Sequence, residues 1–172
     1  MVRDEDHGAL LDRDRHSLRR RLRPLLPRLH FLPTLSKPGD IVVVIGADAE
    51  LIAALADEVA PDGDVVVVDQ SVDMLERLRK ASAEPDVTYL VGEAAVLPLP
   101  DESIDAVLTA TPASAEAFSE FFRVLRPGGR LSLAGSTGSA LNSGERMLSE
   151  AGFVEVIIVS GDRGPALDAR KP

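Results

Sequence analysis

Residues 40–69 run D-I-V-V-V-I-G-A-D-A-E-L-I-A-A-L-A-D-E-V-A-P-D-G-D-V-V-V-V-D, from Asp40 to Asp69. Two runs of β-branched residues, Ile41 to Ile45 and Val65 to Val68, show no alternation of apolar and polar positions. Unbroken apolar runs fit strands buried on both faces, as in parallel sheets. Between them Leu51, Ile52, Leu55, Ala56 and Val59 recur at helical spacing. Pro61-Asp62-Gly63-Asp64 then supplies a turn. The stretch is therefore a β-α-β unit with a crossover helix ending at Pro61. Asp69 falls at the tip of its second strand, where a nucleotide-binding unit holds ribose hydroxyls.

The same grammar continues on both sides. Ser71 is placed to cap a helix carrying Val72, Leu75 and Leu78, and Val87 to Val91 reads as a third strand followed by Gly92-Glu93. The segment Ala94 to Ser103 holds L-P-L-P-D-E-S, too rich in proline for a helix or a central strand. Ile104 to Thr109 reads as a fourth strand. Thr111-Pro112 is expected to open a helix that runs to Arg126 and stops at Pro127-Gly128-Gly129, with Phe118, Phe121 and Phe122 on one face. Arg130 to Ala134 is the expected fifth strand, and Gly135 to Gly144 a mobile Gly/Ser loop. Ser143 or Asn142 would cap a short helix through Glu150. Two final runs, Val154 to Val159 and Pro165 to Ala169, flank a Gly-rich turn as in an antiparallel hairpin. Alternating β and α units give an α/β, doubly wound, mostly parallel sheet, and such sheets bind ligands beyond the carboxyl ends of their strands.

Upstream, the prolines at 24, 27, 33 and 38 break the chain into short pieces, and the Leu-rich stretch from Gly8 to Arg23 has helical spacing. We divide the chain into an N-terminal helical segment, residues 1–36, and a main domain, residues 37–172. Net charge is −9, but unevenly placed. Residues 1–30 carry eight Arg against five acids, and the rest carries 11 basic against 23 acidic residues. An acidic body argues against general nucleic-acid binding, which needs a basic face. The basic run Arg15 to Arg23 fits a helix docked on that body, or an anchor for an acidic partner or RNA. No segment has the length of an apolar membrane span, the start M-V-R-D-E-D is too acidic for a signal peptide, and cysteine is absent. A cytoplasmic protein without membrane contact, disulfides or thiolate chemistry is expected.

Four places, in order, resemble the class I S-adenosylmethionine-dependent methyltransferases, in particular the type 11 branch. They are K-P-G-D-I-V-V-V-I-G (residues 37–46), V-V-V-V-D-Q-S-V-D-M-L (65–75), V-G-E-A-A-V-L-P-L-P-D-E-S-I-D-A-V (91–107) and F-F-R-V-L-R-P-G-G-R-L-S-L (121–133). The resemblance implies a seven-stranded Rossmann-like methyltransferase fold with S-adenosylmethionine as cofactor. Asp69 would accept from the ribose hydroxyls, Glu93 and the Ala94 backbone would meet the adenine edge, and Gln70 and Met74 would flank the ring. Gly46 would let the methionine end pass close to backbone, and Thr109 with Ala110 would face the reacting methyl. For Asp69 and Glu93 a plain solvated strand-end carboxylate remains the alternative.

The first motif of that family runs acid-x-Gly-x-Gly-x-Gly, and here those places hold Val44, Gly46, Asp48 and Glu50. Asp48 would therefore sit in the cofactor loop. If these positions need φ > 0, Asp and Glu are strained there. Their charges would repel the carboxylate of the cofactor by about 1–3 kcal/mol. G-A-D-A-E-L also keeps only the first glycine of a dinucleotide fingerprint, so a nicotinamide cofactor is disfavoured. The three histidines, His7, His16 and His30, all precede the sheet, and no Ser-His-Asp or metal-ligand spacing can be assembled. Two functions are expected from these residues: a methyltransferase acting on a small molecule, or a catalytically silent protein of the same fold. The second would serve as a partner subunit or binding module, with its homo-oligomer or protein contact in the N-terminal segment.

Overall fold

The structure is a computed structural model and describes residues 35–84, 86–111, 113–134, 138–161 and 164–172; the side chains of 138–140 and 161 are not described. The expectations for the N-terminal helices, the histidines and Pro112 lie outside the described residues. Seven strands form one sheet in the order β3-β2-β1-β4-β5-β7-β6. They are β1 (Ile41–Ile45), β2 (Asp64–Asp69), β3 (Val87–Val91), β4 (Ile104–Thr109), β5 (Leu125–Leu133), β6 (Val154–Gly161) and β7 (Gly164–Arg170). The first five pair in parallel, and β7 runs antiparallel to both β5 and β6. The expected C-terminal hairpin is present, with β7 inserted between β5 and the edge strand β6.

Four helices, α1 (Ala49–Val59), α2 (Val72–Ser82), α3 (Ala115–Val124) and α4 (Gly138–Glu150), connect the strands. Strand side chains alternate between faces, so each unbroken apolar run feeds two cores. Val42, Val44, Val65 and Val67 pack with Leu51, Ile52 and Leu55 of α1 and Leu75 and Leu78 of α2. Val43, Ile45, Val66 and Val68 pack on the opposite side with Phe118 and Phe121 of α3 and Leu148 of α4. Helices on both faces of a mainly parallel sheet make the fold doubly wound, as the segment order implies. The lone Tyr89 belongs to the α2 side, where its hydroxyl lies 2.7 Å from Ser82 Oγ.

Three boundaries differ from expectation, each for a local reason. α3 starts at Ala115 rather than after Thr111, because Ser114 is extended (φ −83, ψ 170) and its Oγ accepts the Ala117 N–H. The Thr111 hydroxyl is spent elsewhere, 3.2 Å from that of Thr109. At its other end α3 stops at Val124, and Pro127-Gly128-Gly129 bulges out of β5 instead of ending a helix. Ile104 pairs with Leu125 and Ala106 with Arg130, so the extra residues loop out where proline is tolerated. The C-terminal tail holds the bulge, Gly128 N–H donating to Lys171 O and Lys171 N–H to Gly129 O, each at 2.9 Å.

The third difference is α4, which begins at Gly138 and absorbs most of the Gly/Ser stretch. A Cβ on Gly144 would lie 2.8 Å from the Leu167 side chain, so this glycine lets α4 approach β7 closely. Close packing outweighs the weak helix propensity of glycine.

Candidate functional site

At the carboxyl edge of the sheet, β1 ends at Ile45, β2 at Asp69, β3 at Val91 and β4 at Thr109. The register sets Ile45 beside Val68 and Thr109, and Asp69 beside Val91. Because the chain leaves β1 for β2 on one side and reaches β4 on the other, the loops diverge between β1 and β4. A doubly wound sheet opens its ligand crevice at such a point.

The loop after β1 forms one wall. Gly46 has φ +70, and a Cβ built there would stand 2.5 Å from Thr111 Cγ2. Glycine is thus needed both for its backbone and for the methyl group lying over it. Gly46→Ala is expected to destabilise the fold by about 1–3 kcal/mol in urea denaturation. Adding Thr111→Ser, which removes that methyl, should recover the steric part but not the backbone part.

Asp48 does not carry the strain expected of it. Its φ is −102, its Oδ1 accepts the Leu51 N–H at 2.9 Å, and it is the N-cap of α1. Glu50 follows in the first helical turn and is not among the residues with positive φ. The positive end of the helix favours both negative charges. Asp48 and Glu50 are thus accommodated at the start of α1 with neither residue left-handed. Asp48→Ala should cost about 0.5–2 kcal/mol of stability as a lost cap, and Asp48→Gly only a few tenths. A strained left-handed Asp48 would instead gain stability on Asp48→Gly.

At the neighbouring strand end stands Asp69. Its Oδ1 accepts the Ser71 N–H at 2.8 Å, and the Ser71 hydroxyl in turn caps α2 by accepting the Met74 N–H at 3.2 Å. The carboxylate is thereby oriented at the strand tip and half-buried. Asp69 O accepts the Gly92 N–H at 3.1 Å, which ties the end of β3 to the end of β2. Glu93 follows, exposed, and forms a bridge with Val96. Ala94 is half-buried against the α3-side core, whereas Gln70 and Met74 are exposed at the start of α2. Val72, Met74, Val91 and Val96 keep large apolar surface open around this edge.

Of the residues singled out in the sequence, Asp69 ends β2 and Gly46, Gln70, Glu93 and Ala94 follow strand ends at the same edge, with Met74 in the helix after Gln70. Thr109 is placed differently from the others. It is 1 % exposed and its hydroxyl faces Thr111, so Ala110 and Thr111 present the surface beyond β4. Thr111 had no sequence signal beyond the T-A-T alternation. Nor did the ion pair of Glu120 and Arg123, described below, reveal its distant target. Among the described residues no group of three or more His, Asp or Glu is arranged to hold a metal ion.

The acids are disposed for a nucleoside. A carboxylate at the tip of β2 with one oxygen oriented by backbone can take vicinal hydroxyls, and Glu93 at the next strand end can take an exocyclic amine. Beside them, an exposed glycine with φ > 0 lets a ligand approach backbone at the end of β1. The fold is a doubly wound α/β sheet whose carboxyl edge, at the switch between β1 and β4, is where such sheets take their ligands. Residues 41–129 match the methyltransferase domain family, and the chain belongs to it.

Similarity to individual proteins agrees. The arsenite methyltransferase of Halobacterium salinarum is 36 % identical over 106 residues, which cover 56 % of this chain and 27 % of that protein. The demethylmenaquinone methyltransferase of Symbiobacterium thermophilum is 36 % identical over 118 residues, covering 63 % of this chain and 45 % of the relative. This chain thus spans less than half the length of those two curated relatives. A chain of the complex between a methyltransferase and the Trm112 methyltransferase activator of Haloferax volcanii superposes with TM-score 0.67 at 19 % identity, covering 100 % of both chains. At that identity the likeness shows the fold alone.

Proposed function

We propose that this chain binds S-adenosylmethionine at the carboxyl edge of β1–β3 and transfers its methyl group to a small molecule. The observation that carries the proposal is the pairing of Asp69 and Glu93 on tied, adjacent strand ends, across from the exposed Gly46 at φ +70. S-adenosylmethionine-dependent methyltransferases among the solved structures of this fold support the choice of cofactor; one from Aquifex aeolicus has TM-score 0.68 at 20 % identity, covering 79 % of this chain and 84 % of that one.

Asp69 would hold the ribose hydroxyls, Glu93 and the Ala94 backbone the adenine edge, and Gln70 and Met74 the ring faces. Gly46 would give backbone access to the amino-acid end, with Asp48 and Glu50 nearby at the start of α1. When bound, the sulfonium supplies a methyl group open to direct displacement. The task left to the protein is then positioning, which can supply much of the acceleration without a general base. Ala110 and Thr111 would border the acceptor. The exposed valines and Met74 favour packing on the adenosyl half over polar capture of its ring.

A second function needs a protein partner, and the likeness to a chain from the Haloferax volcanii complex of an activator with a methyltransferase supports such a contact. In that case the protein would be a partner subunit without turnover, and the basic, Leu-rich residues 1–36 would form the contact. Calorimetric titration with S-adenosylmethionine and S-adenosylhomocysteine separates the two. Saturable binding supports the methyltransferase, and no heat at millimolar ligand leaves the partner subunit. Among the described residues no helix is long and apolar enough to cross a membrane.

A further inference from the structure

The loop between β3 and β4, which carries Glu93, makes few hydrogen bonds of its own. Pro98 and Pro100 have no N–H, and the loop's internal backbone bonds are Val96 N–H to Glu93 O and Leu99 N–H to Leu97 O. Several of its backbone groups are answered by side chains of α3. Glu120 Oε1 accepts the Leu97 N–H at 2.7 Å. Arg123 donates to Leu97 O at 3.2 Å and to Leu99 O at 3.0 Å, and pairs with Asp101. The two side chains also lock each other, with Arg123 Nε 2.8 Å from Glu120 Oε2. The Arg123 hydrogen bond, joined by the Leu97 N–H, holds the Glu120 carboxyl below its ordinary range, and Glu120 with Asp101 pushes the guanidinium up.

The consequence reaches the rim through packing. With Leu97 and Leu99 held, Pro98 is seated against Gly92, where an added Cβ would be 2.9 Å from Pro98 Cδ and 3.2 Å from Val68. Gly92 in turn donates to Asp69 O. Side-chain bonds from α3 to Leu97 and Leu99, the Pro98–Gly92 contact and the Gly92–Asp69 backbone bond therefore link α3 to the strand ends that carry both acids.

We infer that Glu120 and Arg123 are positioning residues for the adenosyl half of the ligand: they set the loop that carries Glu93 against Asp69, although neither borders the crevice. This rests on the proposed cofactor site. A planar guanidinium is required, since one group must serve two carbonyls and two carboxylates at fixed angles; a lysine ammonium cannot.

The test is calorimetric titration of the full chain, its Arg123→Ala, Arg123→Lys and Glu120→Gln variants with S-adenosylhomocysteine and with 5′-methylthioadenosine, well below each melting temperature. Arg123→Ala is expected to weaken both ligands by the same factor, about 10-fold, because the shared adenosyl half is what loses its wall. Arg123→Lys should recover little, and Glu120→Gln, which keeps an acceptor for Leu97, should fall between. A role confined to stability would lower the melting temperature and leave both affinities unchanged. If the unmodified chain binds and Arg123→Ala binds equally well, the inference is overturned and the cofactor site stands. Should the unmodified chain bind neither ligand, the site fails and the inference falls with it.

Discussion

Asp69→Ala should weaken S-adenosylhomocysteine binding by about 30- to 700-fold, a larger change than any other single substitution at the rim. A hydrogen bond to a charged group contributes about 1.5–3 kcal/mol, and each 1.4 kcal/mol is about tenfold in affinity. Two vicinal hydroxyls on one carboxylate therefore place the loss at about 2–4 kcal/mol after the non-additivity of paired contacts. The carboxylate is oriented before ligand arrives, by the Ser71 N–H at 2.8 Å, so little ordering entropy opposes binding. Asp69→Asn keeps one acceptor and the shape, and should lose less than Asp69→Ala. The bond to Ser71 is exposed, so folding stability should change by no more than about 1 kcal/mol in either variant. Affinity and stability thus separate at this position, which calorimetry and urea denaturation on the same preparations would reveal.

Phe121→Ala should behave in the opposite way, with the largest loss of stability. Phe121 is 0 % exposed at the centre of the α3-side core and meets Phe118 edge-on, centroids 6.2 Å apart. Large-to-small changes of buried phenylalanine cost about 3–5 kcal/mol, the transfer loss plus the cavity left behind. That is a large part of the stability of an ordinary domain, and should lower the melting temperature by about 6–20 °C. Ile157 on the edge strand is 56 % exposed, and Ile157→Thr should shift stability by no more than about 0.5 kcal/mol. Differential scanning calorimetry of both variants would check the contrast.

The order of segments was legible because burial on both faces writes itself as unbroken runs, such as Ile41–Ile45 and Asp64–Asp69. Caps were legible where one candidate stood alone, as with Ser71. At α3 two hydroxyl residues three positions apart competed, and only the Thr109–Thr111 contact decides for Ser114. Pro127-Gly128-Gly129 has the composition of a helix stop, and became a strand bulge because the tail at Lys171 pairs with its backbone. Composition cannot report a partner 40 residues away.

The rim shows the same division. Asp69 is legible from the strand that ends there, whereas a family position does not fix the backbone angle of Asp48. Its actual φ of −102 follows from capping α1, which the sequence D-A-E-L also permits. Glu120 and Arg123 sit at the i,i+3 spacing of an ordinary surface pair, and nothing in that spacing names Leu97 or Leu99 as the groups they hold.

The most direct measurement is the response of backbone amide resonances to S-adenosylhomocysteine in the full chain. Perturbations concentrated at Gly46, Asp69, Gln70, Gly92 and Glu93, with β6 and β7 unmoved, are the result expected of an adenosyl ligand held at the carboxyl edge. Saturating shifts centred elsewhere, or none at millimolar ligand, would contradict it.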